Sequence, residues 1–257
     1  MKISIATVTY NAADHIERTI ESLEDQDYEH VEHVIIDGNS QDRTLEIVQH
    51  YLERNSHAEH PHEIVCRSEP DEGLYDAMNK ALDLASGDYI LFLNAGDTLA
   101  SSHTLSEIAA LAESQPGVIY GDTDIVDEGG KFIRHRRLTP PEKLTWKSFR
   151  SGMLVCHQAF YARMDLAKET KYQDEKYRYS ADFDWCVRVM KLAAQRKLEL
   201  KNAHAVVAKY LDLEDALTNQ HHQASLRERY RIMVRHYGFI STSLRHLWFV
   251  LRQFTKR

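Results

Sequence analysis

Cysteine is scarce in this chain of 257 residues. It occurs only at Cys66, Cys156 and Cys186, with no C-x-x-C pair, which describes reduced, buried thiols and excludes a disulfide scaffold. Cys156 precedes His157, but adjacency in sequence is not the geometry that a thiolate nucleophile needs. Long apolar runs are missing as well. No stretch reaches the roughly 18–20 uncharged residues of a membrane span. The opening MKISIATVTYN runs into a polar turn where a signal peptide would carry its apolar segment, so the expected location is cytoplasmic. No G-x-G-x-x-G follows the first apolar run, and no G-x-x-x-x-G-K-[ST] occurs anywhere. Dinucleotide-dependent redox chemistry and P-loop chemistry are therefore disfavoured.

Positive charge is almost absent from the first half. Residues 1–130 hold 6 Lys and Arg against 27 Asp and Glu, a net of −21; residues 131–257 hold 26 against 12, a net of +14. An acidic half suits a divalent cation, and a basic half suits anionic lipid or pyrophosphate groups. No recognition motif accompanies the basic half, so nucleic acid is not an expected partner.

Strand and helix patterns alternate through the first hundred residues. Residues 3–8, 31–36, 64–67 and 88–93 read as strands, and Ile16, Ile20 and Leu23 fall at helical spacing. Residues 44–51 and 74–85 read as further helices. This rhythm predicts an α/β fold with a mostly parallel central sheet flanked by helices. Glu128-Gly129-Gly130 marks a hairpin within 118–136, and helices are expected over 181–194 and 223–236. The histidines of residues 56–62 read as a solvated loop more readily than as a metal site.

Ligands of open parallel sheets bind at the carboxyl ends of the strands. Those ends here carry Thr7, Thr9, Tyr10 and Asn11; Asp37, Asn39, Ser40 and Asp42; Glu69, Asp71, Glu72 and Gly73; and Asn94-Ala95-Gly96-Asp97. Each cluster alone reads as a turn or cap. Four in succession point to a nucleotide, its phosphates neutralised by Mg²⁺ or Mn²⁺.

The segments ISIATVTYN, I16-x-x-T19-I20-x-S22-L23-x-x-Q26, VIIDGNSQDRT, SEPDEGLYDAMNKAL and GDYILFLNAGD resemble, in order and spacing, the family 2 glycosyltransferases of the GT-A fold. They are most similar to the subgroup serving bacterial capsule, colanic-acid and lipopolysaccharide assembly. The resemblance implies that Thr7, Thr9 and Tyr10 line the base and ribose pocket, with Asn11, Asn39 and Ser40 on the same rim. Asp37 would bind the base, Asp71 would border it, and Asn94 would lie near ribose or sugar. Asp97 would ligate the metal beneath the diphosphate. Asn94 stands where many relatives have aspartate, which leaves Asp97 as the only carboxylate of that motif.

Gly73 opens a helix whose free N–H groups favour an anion, and Tyr75, Asn79 and Lys80 are candidates for the sugar or phosphate side. In the second half the resemblance makes Asp182 the general base of an inverting transfer, with Asp184 as substitute; a helix cap is the other reading of Asp182. His157 and Gln158 match a His-Gln pair of the subgroup. His157 is expected at the diphosphate, metal or acceptor, or as a structural histidine in the cleft wall.

The expected organisation is a GT-A domain over 1–215, with a nucleotide-sugar half to residue 100 and an acceptor half over 101–215. A basic helical extension over 216–257 would follow. Its stripe of Leu244, Leu247, Trp248, Leu251 and Phe254, flanked by Arg245, Arg252, Lys256 and Arg257, suits peripheral contact with the inner face of the cell membrane, packing on the domain, or a homodimer. The expected partners are a UDP-type sugar donor and a glycan or lipid-linked acceptor. A nucleotidyltransferase and a catalytically inactive sugar-nucleotide-binding subunit are the competing readings.

Overall fold

The computed structural model describes residues 1–212 and 222–255. The expected domain boundary after residue 215 lies outside these residues, as do Lys256 and Arg257.

Four strands build the first half: β1 (Ile3–Thr9), β2 (Val31–Asp37), β3 (Glu63–Ser68) and β4 (Tyr89–Phe92). Every residue of β1, β2 and β4 is buried, because helices cover both faces of a parallel sheet. The helices are α1 (Ile16–Glu24), α2 (Thr44–Asn55) and α3 (Leu74–Leu84). In α1 the buried residues Ile16, Thr19, Ile20 and Leu23 follow the helical repeat, and Thr19 is the polar exception.

Parallel register brings the strand ends level. Thr9 pairs with Asp37 and Asp37 with Ser68, while Ala6 pairs with Phe92, so the segment after β4 begins beside the last turn of β1. All the polar clusters thus emerge at one edge of the sheet.

The second half adds β5 (Thr98–Leu99), β6 (Val118–Val126), β7 (Phe132–His135), β8 (Phe160–Arg163) and β9 (Leu200–Leu211). The order is β3-β2-β1-β4-β8-β6-β9-β5, with β7 paired to β6. Here β6 pairs β9 in parallel, whereas β4–β8, β6–β8, β6–β7 and β5–β9 are antiparallel. The sheet is therefore mixed beyond β4. The hairpin expected around Gly129 forms β6–β7, because a short turn can only return the chain antiparallel.

Helices α4 (Thr104–Ala112), α5 (Met164–Thr170) and α6 (Ala181–Gln195) complete this half, with 3₁₀ turns at Trp146–Ser151 and His157–Ala159. Two helices follow, α7 (His222–Tyr237) and α8 (Phe239–Thr255). Ile232, Met233 and Tyr237 of α7 join the main core, and the Tyr237 ring stacks on Trp146. The extension is thus partly built into the domain. On α8, Phe239, Ile240, Leu244 and Leu247 are exposed, while the side chains of Trp248, Leu251, Arg252 and Phe254 lie outside the described residues.

Candidate active site

The loop after β4 is a tight turn in which the Asp97 N–H donates to Asn94 O at 3.0 Å. Gly96 sits at φ +100°, and a Cβ there would come within 2.9 Å of Leu211 Cδ2, so no other residue fits without strain. Thr19 explains its burial here. Its hydroxyl donates to Asp97 O at 2.8 Å and accepts the Gly96 N–H at 2.8 Å, fixing the turn to α1.

The turn presents Asp97 to a cleft of about 1060 Å³. One carboxylate oxygen accepts Gln158 Nε2 at 2.8 Å and the other accepts the Leu211 N–H at 3.0 Å. Burial outweighs these bonds and pushes the carboxyl up to about 6. Across the cleft Asp182 stands in the first turn of α6. Its Oδ1 accepts the Tyr75 hydroxyl at 3.1 Å, and its Oδ2 lies 3.6 Å from His157 Nδ1. Burial works to raise this carboxyl too, but the His157 contact and the charge of Arg229 carry it below the usual carboxylate range. Asp182 is therefore ionised at neutral pH, the state a general base requires.

His157 and Gln158 are neighbours on one 3₁₀ turn, and they face opposite carboxylates. His157 also approaches Asn94 Nδ2 at 3.4 Å through Nε2. Among the described residues, Asn94 Oδ1 and Thr9 Oγ1 are buried atoms beside the cleft with no hydrogen-bond partner. Tyr10 and Ala95 also line it, and Tyr10 is 63% exposed. A Cβ on Gly38 would meet Asp71 Oδ2 at 2.6 Å and the Tyr10 ring at 3.3 Å, so Tyr10 and Asp71 close around this glycine as a narrow rim.

Other expected residues stand elsewhere. Thr7 is fully buried and meets His33 Nε2 at 3.0 Å, because inward-facing strand positions belong to the core. The Asp37 carboxylate is fully buried and accepts the Ser40 N–H, the Ser40 hydroxyl and the Ser68 hydroxyl, so it shapes its loop and does not line the cleft. Asn11 and Asn39 hold left-handed turns, and the Asn11 N–H donates to Ser40 Oγ at 2.8 Å, tying the first two loops together. Gly73 sits at φ +128° before α3 and its N–H donates to Asp71. Asn79 bonds both backbone groups of Tyr172, and Lys80 pairs with Glu69 and Asp76; neither lines the cleft.

Asp184 faces the opposite way from Asp182. It is fully buried and paired with Arg188 at 2.6 Å and His236 at 2.7 Å, so it cannot substitute as base. Cys156 gives its thiol hydrogen to Gln158 Oε1, and burial pushes that thiol up, away from a thiolate. Cys66 is exposed, contrary to the expectation of three buried thiols.

Several cleft residues carried no signal in the sequence. Arg134, Arg136 and Arg137 come from β7 and the segment after it, and Tyr210 comes from β9. Arg229 projects from α7. On the same helix Glu228 accepts the N–H groups of Arg178, Tyr179 and Ser180 at 2.9, 2.8 and 2.6 Å, holding the start of α6.

Among the described residues no group of three or more His, Cys, Asp or Glu side chains is arranged to hold a metal ion. The residues do fit an ion held more sparely. Mg²⁺ is commonly bound by one or two carboxylates plus substrate phosphates, and Asp97 is a cleft-lining carboxylate whose charge burial leaves short of a counter-cation.

The Glycosyl transferase family 2 model matches residues 4–170. A PGL/p-HBAD biosynthesis glycosyltransferase of Mycobacterium bovis is 32% identical over 213 residues, which cover 80% of this chain and 75% of the relative. The putative teichuronic acid biosynthesis glycosyltransferase TuaG of Bacillus subtilis is 32% identical over 150 residues, 56% of this chain and 55% of the relative. The crystal structure of S. aureus TarS 1–349 with UDP-GlcNAc superposes with a TM-score of 0.71 at 20% identity, covering 91% of this chain and 66% of that one.

Proposed function

The chain belongs to glycosyl transferase family 2 and is an enzyme, and we propose that it performs an inverting transfer of a hexose-type sugar from a UDP-sugar to a glycan or lipid-linked acceptor in bacterial surface polysaccharide synthesis. One observation carries this reading: Asp97 and Asp182 face one cleft and are joined through the adjacent pair His157–Gln158. Two carboxyl groups in different surroundings, one pushed up and one held down, suit two roles.

Asp182 takes the proton from the acceptor hydroxyl as that oxygen attacks the anomeric carbon. The anomeric bond to the diphosphate breaks on the opposite face, and the nucleotide diphosphate leaves. Tyr75 and His157 hold the Asp182 carboxylate in place. Thr9, Tyr10 and Asn94 receive the nucleoside and sugar, with Asp71 at the rim. Asp97 would hold a Mg²⁺ or Mn²⁺ ion, which would supply Lewis-acid stabilisation of the departing diphosphate.

The choice of UDP draws on the UDP-GlcNAc complex of TarS, and the surface-glycan role on the name of TuaG. No helix of the described residues is long and apolar enough to cross a membrane. A peripheral contact through the exposed apolar residues of α8 belongs to the same reading, and a chain ending near Phe239 should partition less with anionic liposomes.

The test is a thermal-shift panel of UDP, GDP, CDP and TDP with Mn²⁺ or with EDTA. A ligand at a hundredfold excess over its Kd adds about 2.7 kcal/mol of stability. UDP should raise the midpoint only with metal, and Asp97→Ala should abolish the rise. A response indifferent to metal refutes the metal-dependent reading.

A further inference from the structure

The cleft carries more positive charge than a donor requires. Four guanidinium groups line it, from Arg134, Arg136, Arg137 and Arg229, against the carboxylates of Asp97 and Asp182. Both carboxylates have other partners: Asp97 is bonded to Gln158 and Leu211, and Asp182 to Tyr75 and His157. Among the described residues the only ion pair involving the four arginines joins Arg134 to Asp212, at 4.0 Å and in the exposed zone. Among the described residues the Arg136 side chain donates to the Leu138 carbonyl, and Arg229 Nε is a buried atom with no hydrogen-bond partner.

Their placement is ordered. Arg134 stands opposite Ile125 in the β6–β7 register, and both line the cleft, so Arg134 and Arg136 project to the same side at strand spacing. Arg229 enters from α7, with its guanidinium 6.0 Å from the Phe183 ring, on the Asp182 side. None of the four comes from residues 1–97, whose loops carry Thr9, Tyr10, Asn94 and Asp97. A divalent cation held at Asp97 would answer the charge of a nucleotide-sugar diphosphate. The arginines come from elements other than the loops that carry the donor-side residues, which leaves them to the second substrate on the reading above. Guanidinium forks bind phosphate oxygens bidentately, and several together exceed the single charge of one carboxylate.

We propose that Arg134, Arg136, Arg137 and Arg229 form an anion subsite for the acceptor, which carries a phosphate ester close to the hydroxyl that is glycosylated. This rests on the transferase reading above and adds the chemical class of its acceptor. The phosphate belongs either to a lipid phosphate or to a soluble phosphorylated glycan or polyol.

The test uses calorimetric titration of the full chain. UDP with Mn²⁺ is bound first, and its failure to bind would count against the transferase reading alone. Glycerol 1-phosphate and geranyl phosphate are then titrated into the UDP–Mn²⁺ complex and into the nucleotide-free chain. Both esters should bind without displacing UDP. Arg136→Gln/Arg137→Gln should weaken both by about tenfold, the loss of one or two charge-assisted contacts. The same variant should keep its UDP affinity within about twofold, which also shows that it is folded. Lys168→Gln, an exposed charge outside the cleft, is the control. Tighter binding of geranyl phosphate assigns the phosphate to a lipid; equal binding assigns it to a soluble chain. The proposal is overturned if neither ester binds, if either displaces UDP, if UDP affinity falls in parallel, or if the control weakens binding equally.

Discussion

Glu228 of α7 accepts the N–H of Ser180 at 2.6 Å, one residue before the helix that carries Asp182. Its other two bonds go to Arg178 and Tyr179, so a single carboxylate orders three consecutive N–H groups. Glu228→Ala should cost about 2 kcal/mol, since hydrogen bonds to a charged group are lost together. For a chain of this size that lowers Tm by about 4–8 °C. Transfer should slow while UDP–Mn²⁺ affinity holds, because the nucleotide residues lie on other loops. Glu228→Gln should recover part of both losses. Unchanged Tm and turnover in Glu228→Ala would refute the arrangement.

Asp182→Asn removes the base and preserves the shape. Turnover should fall by about 10²–10⁴, with KM for the donor little changed. Steady-state kinetics with saturating donor decide it. A loss confined to KM would make Asp182 a binding residue.

Gly96→Ala must adopt φ near +100° and place a Cβ 2.9 Å from Leu211 Cδ2. Strain of about 1–3 kcal/mol falls on the turn that aims Asp97. Metal-dependent UDP affinity should drop by about tenfold or more, measured by titration in Mn²⁺. Wild-type affinity would mean that the turn relaxes freely.

His33 is fully buried between Thr7 and Tyr51, and burial together with His62 holds its imidazole down at about 3. The unfolded chain takes up this proton near pH 6.5, while the folded chain does not. Stability from this group is thus complete above pH 6.5 and is lost as pH falls toward 3, at up to about 1.4 kcal/mol per unit. Asp97, whose carboxyl is raised, acts in the opposite sense between pH 3.8 and about 6. The check is therefore the difference in urea midpoint between the wild type and His33→Gln at pH 7.5 and pH 5. That difference should shrink on acidification.

The βα rhythm of residues 3–93 was readable because each strand and helix declares itself by local periodicity. β9 was not, although its twelve residues Leu200–Leu211 form the longest strand described. His204 at φ +53° and a shifted register beside Gly121 break its alternation, and its pairing with β6 and β5 is non-local. Within the cleft, Thr9, Tyr10, Tyr75, Asn94, Asp97, His157, Gln158 and Asp182 were reachable from the strand-end and helix-start clusters and the family resemblance. Asp37 and Asn79 show the limit of that reasoning, since a short polar side chain after a strand or on a helix also serves to hold neighbouring backbone. Arg229 and Glu228 look like a solvated helix face until the fold lays that face against α6.

His157 and Gln158 turn toward different carboxylates although one peptide unit separates them. The 3₁₀ turn His157–Ala159 therefore works as a ruler. Inserting or deleting one residue between Cys156 and Ala159 would rotate each side chain off its partner and uncouple both sides of the cleft at once. In natural or engineered variants, the length of this turn should be guarded more closely than the identity of the residues around it.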